Sequence, residues 1–183
     1  HSLGQKPQVK VEAKMNMCGE CGSRRIKAVR LPEYEIDLGG MKVRLVDSVI
    51  HEVCEDCGED TIEIPEIDKL SKAAAMTRAL VPVRLTSADV RFMRLALDMT
   101  GREFAEAMEL APETVSRWEN SGRGIGGYSE KLLRHNICAL LHAQVPAVEY
   151  DPADITKMRF VGVPEDFEMA LAMASLWLSP PDR

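Results

Sequence analysis

Length and charge limit what this chain can be. Its 183 residues can form one medium domain or two small ones, and its formal net charge is −6 at pH 7. No apolar run approaches the roughly 18 residues that a membrane-spanning helix needs, and no signal-peptide pattern opens the chain, so we expect a cytoplasmic protein without a membrane partner. We expect the opening His1-Ser2 to be the remainder of an expression tag.

The acidic charge is concentrated towards the two ends of the chain. Residues 1–65 carry 9 basic and 12 acidic side chains and residues 146–183 carry 3 and 7, whereas residues 82–145 carry 8 of each. A DNA-binding segment in the middle would therefore be neutral overall. It would depend on locally placed arginines and helix N-termini, because it lacks a broad basic field.

Four of the five cysteines form two Cys-x2-Cys pairs, while Cys138 stands alone on a predicted helix. The pairs are Cys18 with Cys21 and Cys54 with Cys57, and a glycine follows each pair. Such a glycine lets the backbone fold back and point amide hydrogens at the thiolates. Four thiolates suit zinc, and a closed site of this kind is structural, so we expect one structural zinc ion per chain.

Two alternatives to this zinc site remain. One is a redox-active or catalytic Cys-x2-Cys pair, which is disfavoured because no βαβ pattern surrounds either pair. The other is a site in which His51 replaces a cysteine, although its position three residues before Cys54 is more typical of a surface strand residue.

The residues between the two cysteine pairs have the pattern of a β-hairpin. Apolar and polar residues alternate over Tyr34–Leu38 and Met41–Leu45, and Gly39-Gly40 between them is a two-residue hairpin signal. We predict two further strands, Val46–Val53 and Thr61–Ile64, and a flexible polar arm over residues 3–14. Residues 3–65 would thus form a small β module held together by zinc.

Residues 66–82 are predicted to be a helical connector. The alanine-rich stretch from Ile67 to Met76 favours helix, which should end near Val81 because proline follows it. A hinge at this point would let the two halves of the chain move independently.

Three short amphipathic helices are predicted between Leu85 and Leu141. Thr86 or Ser87 caps the first, and its apolar side comprises Val90, Met93, Leu95 and Leu97. Thr100 caps the second in a capping box with Glu103, and Pro112 suits the first position of the third. Two short helices joined by a tight turn have the geometry of a helix-turn-helix, although a plain helical bundle without DNA contacts is the alternative.

The pattern T-x3-FA-x7-ETVSRWENS-x7-S-x2-LLR, which starts at Thr100, resembles the helix-turn-helix of the phage-repressor-like (XRE) class. Two Cys-x2-Cys pairs around a hairpin, then a connecting helix and this motif, resemble the MqsA (YgiT-type) antitoxin family over residues 15–142. The resemblance implies a zinc-binding N-terminal domain that docks and neutralises a ribonuclease toxin. It also implies a C-terminal domain that dimerises and represses its own operon.

The predicted base-reading residues lie on the third helix. Arg117 matches a base-contacting arginine of the family, and a guanidinium can bond both acceptors of guanine. Glu113 stands where the compared family member has asparagine; a carboxylate can only accept, so its partner would be cytosine, or the contact is absent. The remaining polar residues on the first two turns are Thr114 and Ser116.

The predicted phosphate contacts surround that helix. Thr100 and Arg102 begin the second helix, and Ser129 and Lys131 begin the fourth. Arg123 lies in a glycine-rich loop, where it contacts phosphate or is simply a solvated charge. Gly101 departs from the glutamine that such proteins usually place there, and Arg102 would compensate.

An apolar stripe on the fourth helix predicts a homodimer. Its residues are Leu132, Leu133, Ile137, Leu140 and Leu141, which is more apolar surface than three short helices need. A two-fold dimer would place two recognition helices about 34 Å apart on a palindromic operator.

Residues 146–183 depart from the family pattern. We predict an extended piece over Met158–Val163 and then a helix from Glu165 to Leu178, whose buried face comprises Phe167, Leu171, Ala174 and Leu178. This extension would pack on the bundle or on the dimer mate, or else dock a partner.

The sequence therefore predicts an α+β protein, in which the β module precedes an all-α helix-turn-helix domain (residues 83–145) with a C-terminal helical extension. The function expected is that of a sequence-specific repressor, the antitoxin of a toxin–antitoxin pair. The alternative is a stand-alone zinc-containing XRE-family regulator. An enzyme is disfavoured, since we find no nucleophile–base pair, phosphate loop or open metal site.

Overall fold

A computed structural model describes residues 9–10, 12–13, 15–64 and 66–172. The fold mixes β and α structure, as predicted. The strands are β1 (Val9–Lys10), β2 (Ile26–Asp37), β3 (Lys42–Cys54), β4 (Asp60–Glu63) and β5 (Met169–Ala172). The helices are α1 (Ile67–Leu80), α2 (Ser87–Ala96), α3 (Gly101–Ala107), α4 (Pro112–Asn120), α5 (Gly127–Leu141) and α6 (Pro152–Lys157).

The predicted hairpin is formed by β2 and β3, which pair antiparallel from Ile26–Cys54 to Asp37–Lys42. Gly39 and Gly40 lie at its tip with φ of 71° and 100°, values that favour glycine. The strand predicted separately over Val46–Val53 is wrong in one respect, because it is continuous with the preceding strand in β3.

A bulge divides the hairpin into two halves. The register shifts between Leu31 and Glu33, and Asp47 on the opposite strand has φ of 49°. The Ser48 hydroxyl donates a hydrogen bond of 2.6 Å to the Val46 carbonyl there. Because bulges bend and twist a strand, the near half beside the cysteines and the far half beyond the bulge can face different neighbours.

The two short outer strands extend the sheet. Strand β1 pairs with β2, so Val9–Lys10 of the predicted flexible arm is a strand, while most of that arm lies outside the described residues. Strand β4 pairs with the near half of β3 through Ile50–Val53.

The far half of the hairpin shares its core with the helices. Val43 and Leu45 are buried in one continuous cluster with Leu70 and Met76 of α1 and with Met93 of α2. At the tip, a Cβ on Gly40 would lie 3.3 Å from the Cβ of Ala88. The hairpin therefore ends directly against the start of α2.

The first predicted helix has the expected cap but a different buried face. Thr86 caps α2 in a capping box with Asp89. Val90 and Met93 are buried as predicted, whereas Leu95 is 49% exposed and Phe92 is buried instead. Residues three and four apart share a helix face, and Leu95 is two residues from Met93.

The helix predicted over Glu165–Leu178 is wrong where the structure describes it. Met169–Ala172 forms β5, parallel to β3, and Met169 and Leu171 are buried while Ala170 and Ala172 are exposed. This alternation is the period of a strand, and pairing with β3 outweighs local helix propensity. Ala174 and Leu178 lie outside the described residues. Within the described part of the extension, residues 146–172, the helix is α6, where the Asp151 carboxylate accepts a hydrogen bond from the amide of Ala153.

Two fully buried arginines organise the junction that follows α1. Arg134 of α5 donates to the carbonyls of Ala79, Val81 and Val83 at 2.8, 2.6 and 2.6 Å, and it pairs with Glu130 at 2.8 Å. The last carbonyls of a helix have no partner within the helix, so Arg134 satisfies the end of α1. Burial is the main cause that lowers the pKa of Arg134, and Glu130 opposes it.

The second buried arginine, Arg78, serves the same junction from within α1. It donates to the carbonyls of Val83 and Arg84 at 2.9 and 2.7 Å, and it forms an ion pair of 2.8 Å with Asp89 of α2. The predicted hinge region thus lies among the hydrogen bonds of two buried guanidinium groups.

Replacement of Arg134 by Met should lower the free energy of unfolding by about 3–5 kcal/mol, because buried carbonyls and Glu130 lose their partner. Urea unfolding of the metal-loaded protein measures this change. Arg91→Met is the matched control, since Arg91 is exposed on α2 and should alter stability by less than about 0.5 kcal/mol. Equal unfolding midpoints for the two variants would contradict the role assigned to Arg134.

Candidate metal centre and candidate nucleic-acid interface

The four paired cysteines lie together at the near end of the hairpin. The Sγ atoms of Cys18 and Cys57 are 3.6 Å apart, as are those of Cys21 and Cys54, and all four lie within 4.8 Å of one another. Ligands about 2.3 Å from a tetrahedral metal are about 3.8 Å from each other. The four thiols that the sequence predicts as ligands could therefore hold one metal ion.

Both cysteine pairs have the same backbone geometry. The Cys18 amide donates to the Ser23 carbonyl at 2.8 Å, and the Gly22 amide donates back to the Cys18 carbonyl at 3.0 Å. The Gly58 amide donates to the Cys54 carbonyl in the same way, at 2.9 Å. Gly22 and Gly58 have φ of 73° and 78°, so the glycines after each pair provide the fold-back expected of them.

Backbone amides also favour the thiolate form of one ligand. Hydrogen bonds from the amides of Cys57 and Asp56 lower the pKa of Cys54 from 9.0 to about 7. A metal binds the thiolate and not the thiol, so the amides around Cys54 favour metal binding by that ligand. The pKa of Cys57 is raised to about 12 instead: the Glu59 amide lowers it, but the hydrogen bond with the Cys21 thiol and burial outweigh that amide.

The two knuckles also contact each other directly. Arg25 forms an ion pair of 2.9 Å with Asp56, which also accepts a hydrogen bond from the Ser23 hydroxyl. The Glu55 amide donates to the Arg25 carbonyl at 2.9 Å. His51 is not among the described residues that gather at the centre, and its Nε2 lies 2.9 Å from an Asp60 carboxylate oxygen.

The metal content of the purified protein tests this cluster. We expect about one ion per chain after dialysis, and Cys54→Ala should lose it because three thiols remain. Cys138→Ala is the matched control, since Cys138 is buried in the helical core and lies outside the cluster. Mass spectrometry of the metal content distinguishes them. A Cys54→Ala variant that retains a full equivalent would contradict the assignment.

Helices α3 and α4 have the caps that the sequence predicts. Thr100 and Glu103 form a capping box at the start of α3, and Pro112 begins α4. The connection between the helices contains Glu109 in a left-handed conformation, with φ of 53°. The helices contact each other, and α4 also contacts α2.

A partly buried ion pair fixes α4 against α2. Nε and Nη2 of Arg94 donate to the two carboxylate oxygens of Glu119 at 2.7 and 3.0 Å, and Nη1 donates to the Met99 carbonyl at 2.9 Å. Bidentate pairs of this kind are strong and set orientation. Sequence reasoning missed this pair, because no local spacing connects residues on two different helices.

One exposed face of α4 brings several of the predicted base-reading residues together. Glu113, Ser116 and Arg117 lie together on a shallow, open part of the helix surface, with Asn120 at its far end. Thr114 is half-buried and lies outside this surface.

The predicted phosphate-contacting residues have different environments. Arg102 and Arg123 are exposed, and the exposed Thr100 uses its hydroxyl to accept the Glu103 amide at 3.3 Å. Ser129 lines a small apolar cavity of about 40 Å³ beside Trp118. The Lys131 ammonium donates a hydrogen bond of 2.6 Å to the carbonyl of Thr156 in α6, so this predicted phosphate contact is bound to the C-terminal extension.

The apolar stripe predicted on α5 divides between core and surface. Leu133, Ile137 and Leu141 are buried within the chain. Leu132 and Leu140 are 46% and 39% exposed, so only part of the stripe is free to contact another molecule.

No family model, curated protein or solved structure matches the chain. The family resemblance therefore depends on the motifs alone. Within the part of the chain that the structure describes, no helix is both long and apolar enough to cross a membrane.

Proposed function

We propose that the chain is a zinc-containing, sequence-specific DNA-binding repressor. The observation that carries the proposal is the exposed face of α4, where Glu113 and Arg117 lie together on the surface while Glu119 fixes the helix on its other side. A helix with one face held by the protein and the other presenting polar side chains suits insertion into a major groove.

The arrangement of α3 and α4 supports a helix-turn-helix. Two short helices in contact, joined by a few residues, place the second in the groove while the first crosses the backbone. The proposed base-reading residues are Arg117, which would contact guanine, and Glu113, which would contact cytosine, with Ser116 and Thr114 beside them. Thr100, Arg102 and Arg123 are the proposed phosphate contacts.

Zinc is the proposed metal because of the ligand set. Four thiolates are soft ligands, and a site that all four fill has no open position for a substrate. We assign the ion a structural role, in which its binding free energy, on the order of 10 kcal/mol, stabilises the near half of the hairpin.

A homodimer on a palindromic operator is proposed from the exposed apolar residues of α5. Tyr128, Leu132 and Leu140 are exposed on this helix by 83%, 46% and 39%. Burial of such side chains in a two-fold interface would remove apolar surface from water.

The biological role that we propose is that of an antitoxin. The resemblance to the MqsA family supports it through the order of the zinc module, connector and repressor motif. The second candidate is a regulator without a toxin, which the C-terminal extension favours because the family pattern lacks one. Co-expression with the product of the neighbouring gene distinguishes them. An antitoxin should co-purify with that product and prevent its lethality, and neither effect should appear for a stand-alone regulator.

Selection from a random duplex library with the metal-loaded chain tests DNA binding. We expect recovery of a palindromic site, and Arg117→Ala should weaken binding to it by about 1–3 kcal/mol and relax the preference at one base pair. Arg30→Ala removes the same charge from the exposed face of β2 and should leave the preference unchanged. The proposed function fails if no sequence is enriched.

Glu113→Gln tests the acceptor role at the other end of the reading face. An amide donates as well as accepts, so the preference for cytosine at that base pair should shift towards adenine. The same selection measures this shift. If the variant and the parent recover identical sites, Glu113 does not contact a base, although the proposal that the protein binds DNA would still stand.

A further inference from the structure

Strand β3 has one edge that two different strands share. Strand β2 occupies one edge along the whole length of β3, and β4 pairs with the other edge only at Ile50–Val53. Beyond the bulge, residues 43–46 of this second edge require another partner. Unpaired edges of this kind accept an added strand.

Strand β5 fills this part of the edge from far along the chain. It runs parallel to β3, with Val43 opposite Met169 and Val46 opposite Ala172, whereas the other strand pairs of the sheet are antiparallel. Met169 and Leu171 are 4% and 5% exposed and join the core beside Val43. The backbone thus completes the ladder, and two alternate side chains enter the core.

Two further contacts flank this strand on its N-terminal side. Glu168 forms an ion pair of 3.0 Å with Arg44 of β3. Phe167 lies beneath the buried guanidinium of Arg78, whose Cζ is 4.8 Å from the ring centroid. The segment from Phe167 to Ala172 therefore presents an aromatic, an acidic and two apolar side chains in a fixed order.

The chain that leads to β5 pairs with the loop between α1 and α2 at Val161 and is then exposed as far as Asp166. Val161 forms a parallel bridge with Val83, in which the Val161 amide donates to the Pro82 carbonyl at 2.9 Å. Pro164 then lines a cleft of about 510 Å³, together with Lys42 and Asp89. Val163 is 44% exposed there. Residues 162–166, which link the Val161 bridge to Phe167, are exposed.

We propose that residues 42–46 of β3 form a strand-addition site for an extended peptide, and that residues 167–172 are its intramolecular ligand. In this mode of recognition, main-chain hydrogen bonds provide affinity and alternate side-chain pockets provide specificity. The tether gives the ligand an effective concentration on the order of millimolar, so a competing segment gains the edge only by displacing β5. The site is distinct from the proposed DNA-reading face of α4.

Hydrogen exchange in full-length variants tests whether β5 protects the edge. Leu171→Asp places a charge in the core and should release β5. The alternate amides of residues 43–46 that face β5 should then exchange roughly tenfold faster or more, while those that face β2 stay protected. Ala170→Asp is the matched control, because Ala170 is exposed on the same strand, and exchange there should stay as in the parent. Unchanged exchange in Leu171→Asp would overturn the proposal.

A peptide in trans tests whether the edge is a binding site. A fluorescent synthetic peptide with the sequence of residues 165–172 should bind the Leu171→Asp protein roughly tenfold or more tightly than the parent, whose site is occupied. The same peptide carrying the Leu171→Asp change should not bind either protein. Equal binding to the parent and the variant, or binding to neither, would overturn the proposal.

Glu168→Arg provides a second variant that leaves the core untouched, should Leu171→Asp fail to fold. It reverses the charge that faces Arg44, so the peptide should bind it more tightly than it binds the parent, by a smaller factor than for Leu171→Asp. Peptide affinity identical to the parent, in a variant that exchanges normally elsewhere, would count against the site.

Discussion

The guanidinium of Arg134 is the interaction on which the junction of the molecule depends. It occupies the space where α1 ends, bonds the carbonyls of Ala79, Val81 and Val83, and is held by Glu130 on its own helix. Buried carbonyls without partners would destabilise this turn, and a buried guanidinium without acceptors would be worse. Each group therefore requires the other. Because α2 begins directly after the turn, the same bonds fix where the helices with the proposed DNA-reading face begin. Phe160 lies 4.9 Å from this guanidinium, so the C-terminal extension covers the junction from outside.

Many charges of the neutral middle segment are used internally. Arg94 pairs with Glu119, Arg134 with Glu130, and Asp89 with Arg78 of the connector. These groups hold helices together and contribute little to the field outside the molecule. The exposed charges remain of mixed sign, since Arg102 and Arg123 are exposed and so are Glu103, Glu106 and Glu113. Recognition of an anionic partner would therefore depend on where individual guanidinium groups stand, and net charge per segment is a poor guide to it.

What could be predicted from the sequence was mostly local. The glycine pair at the hairpin tip, the cysteine spacing, the cap at Thr86 and the capping box at Thr100 each involve residues a few positions apart, and each is present in the structure. The failures concern contacts between distant parts of the chain. Residues Met169–Ala172 form a strand because a vacant edge of β3 lies nearby, and their own side chains do not reveal that edge. The Arg94–Glu119 pair and the environment of Arg134 were missed for the same reason.

The prediction that Leu95 is buried was wrong for a local reason. Leu95 is two residues from Met93, a spacing that does not keep two side chains on one helix face, and this spacing can be read from the sequence.

The order in which the chain is synthesised gives the parallel pairing of β5 with β3 a further consequence. Both halves of the hairpin leave the ribosome long before residues 169–172 exist, so the edge beyond the bulge forms without its partner. During that interval the nascent chain presents an open strand edge in the half of the hairpin that lies away from the four cysteines. The pairing of β5 with β3 joins residues far apart along the chain, and such distant contacts form slowly. A partner that meets the protein during its synthesis would find this edge open, whereas in the completed chain β5 occupies it.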